Sequence, residues 1–221
     1  MAPCLKICGL RRRDQALAIA GLGVTAIGVI GVTSSPRHLD PTERSLLFAA
    51  LAAEFPACRR VLVVADPADH QLIELEPQRG HDVLQLHGGE SPQRCAELRQ
   101  RLGLEVWKAL RIRSPQDLER ASDYDGCVDA LLLDAWSADQ LGGTGRNLPL
   151  EWLEGFAPAQ PWWLAGGITA QALPEILKRL NPHGLDVSSG VENAPGDKNL
   201  ERVRDLVRTL DLSESAATPA A

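Results

Sequence analysis

No CxxC pair and no even set of cysteines occurs in this 221-residue chain. Cys4, Cys8, Cys58, Cys95 and Cys127 suggest neither a disulfide framework nor a zinc site. A reducing compartment fits them best. No HExxH run or comparable ligand spacing is present, so no metal is expected. Positive charge is not in excess either: the formal net charge is −6. Phosphate backbones need a basic footprint, so nucleic acid is not an expected partner. A small anionic substrate stays compatible, because one local pocket can be positive. The first strand-like segment leads into Lys6-Ile7-Cys8-Gly9-Leu10, which is not a dinucleotide fingerprint. Gly21-Leu22-Gly23 follows a helical stretch, the wrong context for one.

Residues Gln15 to Pro36 carry no charge and follow Arg11, Arg12 and Arg13. That combination imitates a signal peptide or a membrane span. Gly21, Gly23, Gly28 and Gly31 break the run, and a strand-like segment precedes the arginines. The better parse is a helix ending near Gly21 and a buried strand from Ala26 to Ile30. No membrane association is expected, and the cytoplasm is the default location.

What the chain has in abundance is alternation. Strand patterns begin near Leu5, Ala26, Arg60, Val83, Glu105, Ala130, Trp162 and Gly184. Helical patterns follow over 14–22, 41–55, 67–75, 92–102, 115–121, 149–156, 170–180 and 199–210. Several open on proline, whose missing N–H is harmless in a first helical turn. Eight such units in one chain of this length predict a closed (β/α)₈ TIM barrel, a single α/β domain over 1–211. Residues 212–221, rich in Ser, Ala, Thr and Pro, are expected to form a frayed tail. The longest βα connections follow the second and sixth strands, at Gly31–Asp40 and Ala135–Leu148. Both belong to the C-terminal face, where barrel enzymes place their active sites.

Two strands end in titratable residues, Cys8 on the first and Asp134 on the sixth. Three steps apart round a barrel, they face one another across the mouth. A thiol and a carboxyl so placed can act as base and acid on one small molecule. Taken singly, a buried cysteine and a loop-capping aspartate are the commoner explanations. The seventh and eighth strands run into Gly166-Gly167 and Ser189-Gly190. Glycine turns there let a phosphate approach backbone N–H groups. His38, His70, His81 and His183 read as surface or loop residues, and Trp162-Trp163 as barrel packing.

The segments Lys6-Ile7-Cys8-Gly9-Leu10, Ser35-Pro36-Arg37, Gln85-Leu86-His87-Gly88, Leu132-Leu133-Asp134, Gly142-Gly143-Thr144-Gly145, Leu164-Ala165-Gly166-Gly167, 186–192 and Pro195-Gly196-Asp197-Lys198 occur in one order along nearly the whole chain. Together they resemble the phosphoribosylanthranilate isomerase family of tryptophan biosynthesis. The resemblance implies that Cys8 is a general base and Asp134 a general acid. It implies that Arg37 holds the anthranilate carboxylate and that Gly166, Gly167, Ser189 and Gly190 cradle phosphate. His87 and Asp186 match further pocket positions. Gly31-Val32-Thr33 stands where many members carry a bulkier aromatic segment.

The implied reaction is a cofactor-free Amadori rearrangement of a phosphosugar by a monomer or homodimer. A sister phosphosugar barrel of histidine biosynthesis would need two phosphate sites and typically an aspartate in place of Cys8. A non-catalytic phosphosugar-binding barrel is the other alternative. Gly142, Gly143 and Gly145 lie on the active-site face and are expected to belong to a lid over bound substrate.

Overall fold

The computed structural model describes residues 3–135 and 148–217, with side chains through 213. Its strands are β1 (Cys4–Cys8), β2 (Ala26–Ile30), β3 (Arg59–Val64), β4 (Val83–Leu86), β5 (Glu105–Ile112), β6 (Ala130–Ala135), β7 (Trp162–Ala165) and β8 (Gly184–Val187). All pair in parallel and in chain order, and β8 closes the ring onto β1. The predicted barrel and its strand starts are therefore in place to within a residue.

Five α-helices lie outside: α1 (Arg13–Ala20), α2 (Pro41–Glu54), α3 (Pro92–Leu102), α4 (Leu173–Arg179) and α5 (Leu200–Ala217). The sequence places their starts by capping. Asp40 accepts hydrogen bonds from the N–H groups of Thr42 and Glu43, with Pro41 in the first turn of α2. Ser91 does the same for Arg94 N–H at the start of α3, and Gly103 ends that helix in the left-handed conformation. Three expected helices are instead 3₁₀ segments, at Asp69–Leu75, Pro115–Tyr124 and Leu150–Trp152. A 3₁₀ turn rises about 2.0 Å per residue, so it returns the chain along the barrel with fewer residues. α5 runs on to Ala217, where Ser213 Oγ donates to the Thr209 carbonyl at 2.8 Å and two alanines favour the helix.

Strand alternation separates two apolar sets. Leu5, Ile7, Ile27, Val29, Leu84, Leu86, Leu131 and Leu133 face outward under the helices. Ala26, Val61, Val63, Val83, Trp107, Ala109, Ala130, Leu132, Trp163 and Ala165 fill the barrel with Cys8. Trp107 and Trp163 stack with ring centroids 4.5 Å apart. Glu105 accepts from Trp107 Nε1 at 2.6 Å and pairs with Arg59. These groups close the N-terminal end of the barrel, so the polar inner positions collect at the other end. No helix among the described residues is long and apolar enough to cross a membrane.

His81 lies in the loop before β4 but is not on the surface: it is 2% exposed and packs against Phe48. Its Nε2 bonds to the Leu75 carbonyl at 3.0 Å. Burial pulls the imidazole down from 6.5 to about 4. The unfolded chain then binds this proton more readily than the folded one. The stabilisation is full above 6.5 and is lost as pH falls from there toward 4. His81 alone is expected to remove about 3 kcal/mol over that interval. Urea titrations of wild type and His81→Phe at both ends check this. A difference between them that does not change with pH would refute it.

Candidate active site

Inward-facing residues at the C-terminal ends of β1, β4, β6 and β8 form one polar ring. Cys8 and Lys6 come from β1, Gln85 and His87 from β4 and the turn after it, Asp134 from β6, and Asp186 from β8. Six strands contribute mostly small or branched residues below them, so these side chains stand on a packed floor rather than over a pore.

The two candidate proton-transfer groups have unlike surroundings. Asp134 is buried, and its Oδ2 lies 3.4 Å from His87 Nε2. His87 Nδ1 is 3.2 Å from Gln85 Nε2, which orients the ring from the far side. Among the described residues, His87 Nε2 itself has no hydrogen-bond partner. Cys8 is also buried, and burial pushes its thiol above 9.0. Lys6 is the strongest influence in the other direction, with Lys198 helping and Asp186 opposing. The resting group is therefore a thiol, not the ready thiolate that a generally cationic pocket would favour.

Lys6 is fully enclosed, and its Nζ donates to Asp186 Oδ1 at 2.9 Å. The register pairs the two residues side by side on β1 and β8. Burial alone would lower the ammonium, but Asp186 and Cys8 outweigh it and hold it above 10.5.

Arg37, expected to meet a substrate carboxylate, lies buried against Glu192. Its Nε donates to Oε1 at 2.9 Å and its Nη2 to Oε2 at 2.7 Å. Glu192 also accepts from Lys198 Nζ at 2.7 Å and from Gly196 N–H at 3.0 Å. Burial pushes Glu192 up, but Arg37 and Lys198 prevail and hold it below 4.5. Burial pulls Lys198 down further than Glu192 restores it. The guanidinium is thus held by its Nε–Nη2 edge. Glu192 opens the antiparallel pair β9 (Glu192–Ala194) and β10 (Asp197–Lys198) just beyond β8.

The glycine turns expected to hold phosphate are side by side. Gly166 and Gly167 have φ of 91° and 60°, left-handed values that favour glycine. Ser189 and Gly190 lie in a 3₁₀ turn, Ser189–Val191. A Cβ on Gly190 would fall 2.1 Å from the Ile168 carbonyl oxygen, so the two turns press backbone against backbone. Gly190→Ala is expected to force them apart and weaken inorganic phosphate as a competitive inhibitor at least about tenfold, the loss of one charge-assisted bond. An unchanged inhibition constant would rule the cradle out.

Sequence reasoning missed the work of Lys6, Gln85, Glu192 and Lys198. One signal was available: β1 alternation puts Lys6 on the inner face with Cys8. Glu192 and Lys198 meet only through the β9–β10 turn, which periodicity does not reveal. The expected lid glycines Gly142, Gly143 and Gly145 lie outside the described residues.

Comparison with known proteins agrees with this geometry. Residues 5–209 match the family model of N-(5'-phosphoribosyl)anthranilate (PRA) isomerase. The chain is 47% identical over 207 residues to the N-(5'-phosphoribosyl)anthranilate isomerase of Synechococcus elongatus, covering 93% of this chain and 95% of that one. It is 45% identical over 212 residues to the enzyme of that name from Nostoc punctiforme, covering 95% and 99%. The crystal structure of phosphoribosyl anthranilate isomerase from Thermus thermophilus superposes with a TM-score of 0.83 at 33% identity, covering 95% and 98%. With its barrel, its polar ring and these relatives taken together, the chain belongs to the N-(5'-phosphoribosyl)anthranilate isomerase family.

Proposed function

We propose that the chain converts N-(5-phosphoribosyl)anthranilate to 1-(2-carboxyphenylamino)-1-deoxyribulose 5-phosphate in tryptophan biosynthesis, in the cytoplasm. The observation that carries this reading is the placement of Cys8 and Asp134, both buried, on β1 and β6 at one barrel mouth beside the turns after β7 and β8. Phosphate at Gly166, Gly167, Ser189 and Gly190 would anchor one end of the substrate. Asp134 gives a proton to the furanose ring oxygen, and the ring opens to a protonated Schiff base. Cys8, as thiolate, takes the C2′ proton. The C–H electron pair becomes the C1′–C2′ double bond, and the iminium π pair settles on nitrogen. The enolamine then tautomerises to the ketone. Asp134 is left as carboxylate and Cys8 as thiol, and exchange with water restores both. The protonated imine is the electron sink, so the sequence of steps calls for no cofactor.

Arg37 is assigned to the anthranilate carboxylate, with Glu192 fixing the plane of its guanidinium. Arg37→Met is expected to weaken a carboxylated product analogue about tenfold or more while leaving its des-carboxy counterpart unaffected. It should also destabilise the fold by about 3 kcal/mol, because buried Glu192 loses a bidentate partner. Calorimetric titration with both analogues separates these effects. Equal weakening of both would remove Arg37 from carboxylate recognition.

The histidine-pathway sister enzyme would act on a bulkier bisphosphate and would typically carry an aspartate at position 8, where this chain has Cys8. Loss of phosphoribosylanthranilate fluorescence on adding the purified chain tests the reading. No loss, with retained binding of the product analogue, would leave a non-catalytic binding barrel.

A further inference from the structure

We propose that Lys6 is the positioning residue for the Cys8 base, its ammonium serving as the counter-ion of the thiolate while Asp186 holds it in place. This rests on the reading of Cys8 as the proton acceptor.

The placement begins in β1, where residues two apart share a face, so Lys6 and Cys8 both point into the barrel. Lys6 is 0% exposed, and an ammonium is not buried without compensation. Asp186 supplies one partner at 2.9 Å. The neighbouring strand makes room for the second. A Cβ on Gly28 of β2 would fall 2.7 Å from Cys8 Sγ, 2.9 Å from Lys6 Cε and 3.1 Å from Lys6 Nζ. Sulfur and ammonium thus occupy one small space that exists because position 28 lacks a side chain. A pair serving stability alone would gain nothing from that arrangement, since apolar residues of similar volume often stabilise as well or better.

The chemistry of the base asks for such a neighbour. Burial opposes formation of a thiolate at Cys8, and Lys6 is the strongest opposing influence. The other charged groups facing the sulfur do not replace it. Asp186 on β8 disfavours the thiolate, and Lys198 on β10 is already committed to Glu192. Arg37 is likewise held by Glu192. β2 offers uncharged Gly28, and β4 and β6 present His87 and Asp134 to each other. Lys6 keeps its proton throughout. The C2′–H bond breaks, the S–H bond forms, and the ammonium loses only the anion beside it. Asp186 then remains as its partner, so no charge is stranded at any stage.

The test is an ultraviolet titration of thiolate absorbance, read as the difference between each protein and the same protein carrying Cys8→Ser. The subtraction cancels the other cysteines and Tyr124. The proteins are wild type, Lys6→Met, Lys6→Arg and the double variant Lys6→Met with Asp186→Asn. The double variant removes both charges and so guards against misfolding from a lone buried carboxylate. In both methionine variants the Cys8 midpoint should rise by about one pH unit or more, or leave the accessible range. Turnover should fall at least about tenfold with KM within about threefold, the pattern of a lost transition-state interaction. Lys6→Arg keeps the charge and should restore part of both. An unmoved midpoint in either folded methionine variant overturns the proposal whatever happens to turnover. Failure of the underlying reading would look different: Cys8→Ala would turn over normally while the midpoint still moved with Lys6.

Discussion

Cys8→Ala is expected to lower turnover by about 10²–10⁴-fold while leaving the dissociation constant of a product analogue within a few-fold. The size follows from the role: without a base at C2′ the ring-opened Schiff base forms but cannot become the enolamine. The structural cost is small. Cys8 contributes one sulfur to the barrel interior, and the Lys6–Asp186 pair beside it stays intact. Loss of the side chain should cost about 1 kcal/mol of stability, the scale of a minor core truncation. The pH profile gives an independent check. Burial holds the thiol above 9.0, so kcat/KM of the wild type should still be rising on the alkaline side at that pH. Wild-type kinetics in Cys8→Ala would remove the assignment at once. A profile already flat below neutrality would instead show that the base is some other group.

Asp134→Asn should be equally damaging, again by about 10²–10⁴-fold in kcat, for a different reason. The amide fills the same volume on β6 and keeps a polar atom facing His87, but it has no acidic proton for the ring oxygen. Opening of the furanose ring then becomes the slow step. His87 Nε2 lies 3.4 Å from Asp134 Oδ2 and its ring is steadied by Gln85, so the two side chains face one another without a hydrogen bond between them. Supplying a ring-opened analogue tests the division of labour. Asp134→Asn should deprotonate such a compound at C2′ far better than Cys8→Ala does. If both variants handle it equally, the acid and base roles are not separable as assigned.

Charge burial around the mouth explains why these effects should appear in kcat rather than in folding. Arg37, Glu192 and Lys198 form one connected group just beyond β8, and Lys6 with Asp186 another beside Cys8. Each is stabilising only while complete, because a partner left alone in the interior carries its full desolvation penalty. Substitutions inside these groups therefore mix catalytic and structural losses. Cys8 and Asp134 are members of neither set of ion pairs, and their variants report chemistry more cleanly.

Local rules written along the chain were enough to determine the barrel. Alternating apolar runs, prolines at helix starts, and caps such as Asp40 and Ser91 are effects of neighbours within a few residues, so they can be read from order alone. The same order placed Cys8 and Asp134 at the ends of β1 and β6, and the glycine turns after β7 and β8. Where the connections wound as 3₁₀ rather than α was not legible, because that choice depends on how far the chain must climb to its next strand. The burial of His81 within its loop was not legible for a related reason: it comes from Phe48 and Leu75, which periodicity around His81 does not bring near.

Ring closure decided the rest. Only when β8 pairs with β1 does Asp186 stand beside Lys6, 180 residues earlier in the chain. The Gly28 gap that admits both the ammonium and the Cys8 sulfur comes from the β1–β2 pairing, which sets Cys8 beside Gly28. Arg37 meets Glu192 across 155 residues, through a turn that belongs to neither of the strands they follow. Burial of charge is a property of the assembled interior, where solvent is excluded and the dielectric falls. The sequence alone therefore brings a thiol and a carboxyl to one barrel mouth, whereas the ionisation of Cys8 belongs to the neighbours that the closed barrel supplies.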